Sequence, residues 1–416
     1  MLDLIALLIT LTAALAYLNH RTLKLPNAIG VMAIALLLSL LMISLSELGF
    51  PGLERQVEAT VRTIDFSYVL MQGMLSLLLF AGALHVNLDD LVRRRVPIGV
   101  LATVGVVIST LLIAAAARGV FSLVGIEMPW IYCLLFGALI SPTDPIAVMG
   151  ILKAARAPKG LEVKIAGESL FNDGVVVVVF TVLLRIAAGA APVSAGQVAM
   201  LFAEEALGGA LLGVAIGYVA YRMLRSIDSY QVEVLITLAL VLGGYALARR
   251  LHVSGPLAMV AAGLLIGNHG RRLAMSEKTR GHLDTFWELV DETLNAVLFV
   301  LIGIELIVVT FTGASLSAAL LLVPVALLAR FVAVGMPFWV MRRWVAFTPR
   351  AVEVLTWGGI RGGISVALAL SLPQGPERPV ILAVTYVVVL FSIIVQGLSL
   401  GRFVRWLLRD APGASG

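Results

Sequence analysis

The sequence predicts an all-α polytopic membrane protein of about thirteen transmembrane helices, arranged as two inverted six-helix repeats with interrupted crossing helices. Three observations carry this. Of 416 residues, 60% are hydrophobic and only 13% charged, whereas a soluble globular domain carries about 25% charged residues. Mean hydropathy is +1.02. The apolar residues fall into runs near the roughly 20 residues needed to cross a bilayer core of about 30 Å. Finally, two of those runs carry helix-breaking centres at matching places in the two halves of the chain.

The runs cover roughly 2–18, 28–46, 66–85, 97–117, 130–152, 163–185, 198–221, 232–248, 253–267, 286–307, 315–340, 351–371 and 379–402. The first has no basic n-region, so it reads as a retained helix rather than a cleavable signal. The ninth is the shortest, with a break at Ser254-Gly255-Pro256. Threading the chain with its N-terminus outside puts 21 of the 30 Lys and Arg residues on the cytoplasmic side and seven on the other. Arg330 and Arg361 remain within spans. That asymmetry supports the count and a cytoplasmic C-terminus in an inner (plasma) membrane protein. Residues 1–410 read as a single transmembrane domain, with repeats at about 1–185 and 232–402 and a linker helix at 198–221. Residues 411–416 read as a short cytoplasmic tail.

Composition also excludes. The net charge of +5 comes from loop residues that follow membrane topology, not from a nucleic-acid surface. The lone Cys133 excludes an intramolecular disulfide and any multi-cysteine metal site. No HExxH or GxSxG motif is present, which argues against an intramembrane enzyme. The connection His269–Glu288 is mixed in charge, with His269 and His282 read as solvated. His85, Asp89 and Asp90 read as the polar end of the third span.

The fifth run contains Ser141-Pro142-Thr143-Asp144-Pro145, where two prolines remove backbone donors and cannot continue a regular helix. The twelfth contains Gly358-Gly359-Ile360-Arg361-Gly362-Gly363, four glycines around one charge. An offset of seven spans reverses orientation in the membrane. Paired interruptions in inverted halves point to a transporter site near the midplane, and to alternating access rather than a continuous channel filter.

The sixth run carries Gly167–Val179, GESLFNDGVVVVV. An Asp at a helix centre costs roughly 2.5–3.5 kcal/mol on insertion scales, so Glu168 and Asp173 imply a protein-lined cavity and an ion or proton pathway. At a 100° step per residue, Ser169, Asn172 and Asp173 share one side of the helix. Glu168 neighbours Asn172 but points roughly 140° away from Asp173. Asp173 is therefore expected to be the exchange site in a small oxygen cage with Asn172, Ser169 and the carbonyl or hydroxyl of Thr143. Such ligands suit Na⁺ or Li⁺. A carboxylate there can hold either H⁺ or a cation, and exclusive occupancy is enough for coupled exchange. Glu168 is expected to be structural, paired with Arg330 or Arg361, neither of which can shed its proton. Asp144 and an arginine would compensate the partial charges at the interrupted helix ends. No resident cofactor is expected, only the transported cation and proton. Gly209, Gly213 and Gly217 form a GxxxGxxxG face for close helix contact, as compatible with dimerisation as with packing inside the chain.

The segments SPTDP (Ser141–Pro145), ESLFNDG (Glu168–Gly174) and GGIRGG (Gly358–Gly363), in this order, resemble the signature segments of NhaP-type Na⁺/H⁺ antiporters, prokaryotic relatives of the sodium–proton exchangers. The resemblance covers nearly the whole chain. It implies the sodium–proton antiporter fold, a homodimer, and elevator-like motion of a core domain against a dimerisation domain. By matching position, Asp173 resembles the ion and proton site, and Thr143, Ser169 and Asp173 resemble cation ligands. Asn172 resembles the Asn of the Asn-Asp pair associated with electroneutral one-for-one exchange. Asp144 resembles the acid beside the unwound helix, and Glu168 with Arg330 or Arg361 the structural ion pair. A K⁺/H⁺ antiporter of the same fold, or a cation-coupled carrier of a small organic anion, stand as alternatives.

Overall fold

The computed structural model describes residues 2–48, 68–145, 148–149, 152, 159–189, 194–270, 275–343 and 350–409. Among these residues the secondary structure is helical, with no strand. The helices are α1 (Leu2–Arg21), α2 (Asn27–Glu47), α3 (Leu75–Leu84), α4 (Leu88–Arg93) and α5 (Arg95–Leu123). There follow α6 (Trp130–Ile140), α7 (Lys159–Ala187), α8 (Ala195–Leu224), α9 (Tyr230–Arg250) and α10 (Gly255–Leu265). The chain continues with α11 (Glu277–Glu305), α12 (Gly313–Met341), α13 (Ala351–Trp357), α14 (Gly363–Leu370) and α15 (Glu377–Leu407).

Among the described residues each predicted apolar run contains helix, because burying backbone polar groups in lipid demands internal hydrogen bonding. Among the described residues seven helices are long and apolar enough to cross a membrane: α2, α5, α7, α8, α9, α12 and α15. The chain is a multi-pass membrane protein. The charged positions Arg55, Arg62, Lys153, Arg156, Arg271 and Arg272 used in the topology count lie outside the described residues, as do much of the second half of the fifth run and the tail 411–416.

Local details refine three expectations. Ser254-Gly255-Pro256 starts a helix rather than breaking one: the Ser254 hydroxyl accepts the Leu257 N–H at 3.3 Å, and Pro256 occupies the first turn, where its missing donor costs nothing. His85 does cap the end of α3, while Asp89 and Asp90 belong to the first turn of the next short helix, whose Asn87 cap accepts their N–H groups at 2.9 and 3.2 Å. The glycine face of α8 is used inside the chain. A Cβ at Gly209 or Gly213 would lie 2.4 Å from the Ser254 carbonyl oxygen or 2.2 Å from that of Ala258. Glycine there lets α8 and α10 approach backbone to backbone.

Both expected interruptions are present. α6 ends at Ile140 and the chain runs unwound through Pro142, Thr143 and Asp144; α13 ends at Trp357 and helix resumes only at Gly363. The two unwound stretches cross and bond to each other. The Asp144 N–H donates to the Ile360 carbonyl at 2.7 Å. The Arg361 guanidinium donates through Nη1 to the carbonyls of Ser141 and Pro142 at 2.7 and 3.1 Å. A wide turn of α15 at Ser392–Gln396 serves two more of the freed groups. The Ser392 hydroxyl accepts the Arg361 N–H at 2.8 Å, and the Gln396 amide donates to the Trp357 carbonyl at 2.9 Å. The broken backbone thus keeps its partners, as buried polar groups must.

Candidate functional site

The long α7 carries the acids past this crossing. Glu168 and Asp173 are both buried and point to different neighbours, as their helical angle predicts. Glu168 meets Arg330 of α12 in a bidentate pair, Nη1 to Oε1 at 2.6 Å and Nη2 to Oε2 at 2.7 Å. Of the two arginines left open by the sequence, Arg330 is therefore the partner. Arg361 instead spends its guanidinium on the carbonyl end of α6, where a cation offsets the partial negative charge of the helix terminus. Gly359 leaves room for the pair, since a Cβ there would lie 2.8 Å from Arg330 Nε.

Between the two acids sits Asn172. Its amide nitrogen donates to Thr143 Oγ1 at 2.9 Å and to Glu168 Oε1 at 3.1 Å. Thr143 Oγ1 also lies 2.9 Å from Ser169 Oγ. Thr143, Ser169, Asn172 and Glu168 thus form one buried chain of hydrogen bonds linking the unwound segment to the ion pair. Asp173 is outside that chain. Its Oδ1 is buried and has no hydrogen-bond partner, and neither has Asn172 Oδ1.

Asp173 lines a cavity of about 70 Å³ with Thr143 and Asp144 of the first unwound stretch, Gly362 of the second, Ser365 of α14 and Asn295 of α11. Its apolar walls come from Leu75, Leu78 and Leu79 of α3 and from Leu298 of α11. Ser169 and Asn172 stand behind Thr143, within hydrogen-bond distance of its hydroxyl. Asp144 leans over the start of α14: a Cβ at Gly362 would meet Asp144 Oδ2 at 2.5 Å, and a carboxylate is favourable at a helix N-terminus. Since a water needs roughly 10–15 Å³ of such space, the cavity accommodates a small cation with a few waters. It falls far below the roughly 300–1,000 Å³ of organic-ligand pockets.

Sequence reasoning marks Asn295 only as a polar exception on an otherwise aliphatic span, and passes over Asp291 one turn before it. The run was read as starting near 286, after a polar connection, but α11 begins at Glu277 and carries those charges as its first turns. The i,i+4 spacing of Asp291 and Asn295 on a helix is the signal that could have found them.

Residues 7–406 match the family model described as sodium/hydrogen exchanger, transmembrane. The chain is 55% identical over 417 aligned residues to the Na⁺/H⁺ antiporter NhaP of Pseudomonas aeruginosa, spanning 99% of this chain and 98% of that one. It is 34% identical over 384 residues to the Na⁺/H⁺ antiporter NhaH of Halobacillus dabanensis, covering 90% and 91% of the two chains. Its fold matches that of the sodium proton antiporter MjNhaP1 from Methanocaldococcus jannaschii at pH 8, with a TM-score of 0.76 and 19% identity over 97% of this chain and 98% of that one. The crossed unwound segments, the buried acids of α7 and these similarities lead to one assignment: the chain belongs to the transmembrane sodium/hydrogen exchanger family.

Proposed function

We propose that this protein is a secondary active antiporter exchanging Na⁺ or Li⁺ for H⁺ across the plasma membrane, with the two ions competing for Asp173. The observation that carries the reading is the unpartnered, buried Asp173 Oδ1 on a small cavity where two unwound segments cross. An intramembrane carboxylate without an internal partner is expensive and is relieved equally by a proton or a small cation. Thr143 and Asp144 stand beside it as further oxygen ligands, with Ser169 and Asn172 orienting the Thr143 hydroxyl or joining the shell as ligands themselves. No resident cofactor is invoked.

One proton released from the Asp173 carboxyl for each cation bound gives electroneutral one-for-one exchange, with Asn172 neutral beside it and the Glu168 charge neutralised by Arg330. The inverted repeats at about 1–185 and 232–402 are supported by the reciprocal bonding of the two unwound segments, each in its own half. Alternating access by an elevator-like movement, a homodimeric assembly, an outside N-terminus and a cytoplasmic C-terminus complete the reading, and a role in pH homeostasis follows from the ions moved. The cavity volume argues against the organic-anion alternative.

The test is dissipation of a pH gradient in proteoliposomes of the purified protein, with Na⁺, Li⁺ and K⁺ added in turn over a range of pH. Na⁺ and Li⁺ are expected to collapse the gradient without a membrane current. Collapse by K⁺ alone would move the protein to the K⁺/H⁺ class, and no response to any of the three would sink the antiport reading.

A further inference from the structure

The wall of the cavity contributed by α3 and α11 is apolar except at one position. Leu75, Leu78, Leu79, Gly82 and Leu298 line it, and Asn295 interrupts them. Asn295 is itself buried, at 4% exposure. Its amide nitrogen donates to the Asp291 carbonyl oxygen at 2.8 Å and to Asp291 Oδ1 at 3.1 Å. Both donors of the NH₂ group are therefore spent on oxygens of Asp291. The opposite amide orientation would set the Asn295 oxygen against a backbone carbonyl, which can only accept. The hydrogen bonds thus fix the orientation, and the group left over for the cavity is Oδ1.

An asparagine that bonds its own helix four residues back has an ordinary structural reading. That reading accounts for the nitrogen. It does not account for a buried amide side chain on an otherwise hydrocarbon wall of a small cavity that Asp173, Asp144 and Thr143 also line.

We propose that Asn295 is a cation ligand supplied from α11, its Oδ1 completing the coordination of the ion held by Asp173, with Asp291 as the residue that positions it. The inference rests on the antiport reading and deepens it. Side-chain amide oxygens are good partners for hard cations. A neutral oxygen also adds coordination without adding charge, so the ratio of protons to cations stays set by Asp173. Asp291 acts only through Asn295: its two acceptors hold the NH₂ group and turn the oxygen inward.

The test compares wild type with Asn295→Ala, Asp291→Ala and Asp291→Asn in proteoliposomes, reading the half-saturating Na⁺ and Li⁺ concentrations at fixed pH. Asn295→Ala should raise both about 3- to 10-fold, the equivalent of one modest polar contact, with the maximal rate largely kept. Asp291→Ala should raise them less. Asp291→Asn should restore wild-type values, because its carbonyl and side-chain oxygens still accept. The Na⁺-dependent rise in melting temperature of the detergent-solubilised protein provides a readout independent of transport, and should require higher Na⁺ in Asn295→Ala. Unchanged half-saturation and an unchanged melting response in Asn295→Ala overturn the inference. So does a loss of maximal rate with cation affinity intact. A wild type that exchanges no cation overturns the antiport reading, and this inference with it.

Discussion

Glu168 and Arg330 bury a full ion pair within the membrane-spanning helices, with side-chain exposures of 1% and 7%. Such a pair is held by the cost of separating it: removing one partner strands a charge and costs about 3–5 kcal/mol. Glu168→Ala and Arg330→Ala are therefore each expected to lower the melting temperature and the yield of folded protein. Arg330→Lys should do so as well, because an ammonium cannot reproduce the two parallel bonds. The measurement is thermal unfolding of the solubilised variants. A Glu168→Ala protein that is fully stable yet inactive would instead place Glu168 in the exchange chemistry. The different orientations of Glu168 and Asp173 were legible in the sequence because one unbroken helix fixes their angle. The choice between Arg330 and Arg361 was not, since it depends on how helices 162 and more residues apart pack. Nothing local distinguishes the two arginines.

At the scale of elements, apolar run length located the helices well because lipid leaves the backbone no alternative to internal hydrogen bonding. The interruptions were equally legible from proline and glycine chemistry. The bonds that repair them were not: Ser392 and Gln396 sit in a wide turn of α15 that has no distinct sequence signal. The GxxxGxxxG face gives the sharpest contrast. Its glycines predict close approach, and close approach occurs, but the same spacing serves an internal and an intersubunit contact equally. Here the partner is α10. A side chain at Gly213 would drive into the Ala258 carbonyl oxygen, 2.2 Å from an added Cβ, and overpacking of this kind costs about 1–3 kcal/mol or more. Gly213→Val should therefore lower the melting temperature while leaving the oligomeric state of the folded protein, whatever its size, unchanged by light scattering. A variant with unaltered melting that dissociates to monomers would show that this face belongs to the subunit interface.

For the whole molecule, the long apolar helices surround a polar centre assembled from segments far apart in sequence: Thr143 and Asp144, Asp173, Asn295 and Ser365. The acids of α7 announced this centre because charge in lipid is so costly. Asn295 stood out only as a polar exception and not as part of the site, because a neutral amide at the end of a charged helical stretch carries no such penalty. Single-site competition also makes a quantitative statement about the intact protein. Wherever protonation limits cation binding, each unit of falling pH should raise the half-saturating Na⁺ concentration by up to about tenfold, the limit for one shared proton site. A Na⁺ requirement independent of pH on the acidic side of the activity profile would exclude a shared site. The most direct measurement is Na⁺-driven proton movement in proteoliposomes of Asp173→Asn. Asparagine keeps the shape of the side chain and can neither hold a proton nor neutralise a cation, so the folded variant should show no exchange. Retained exchange would contradict the assignment of Asp173 as the site the two ions share.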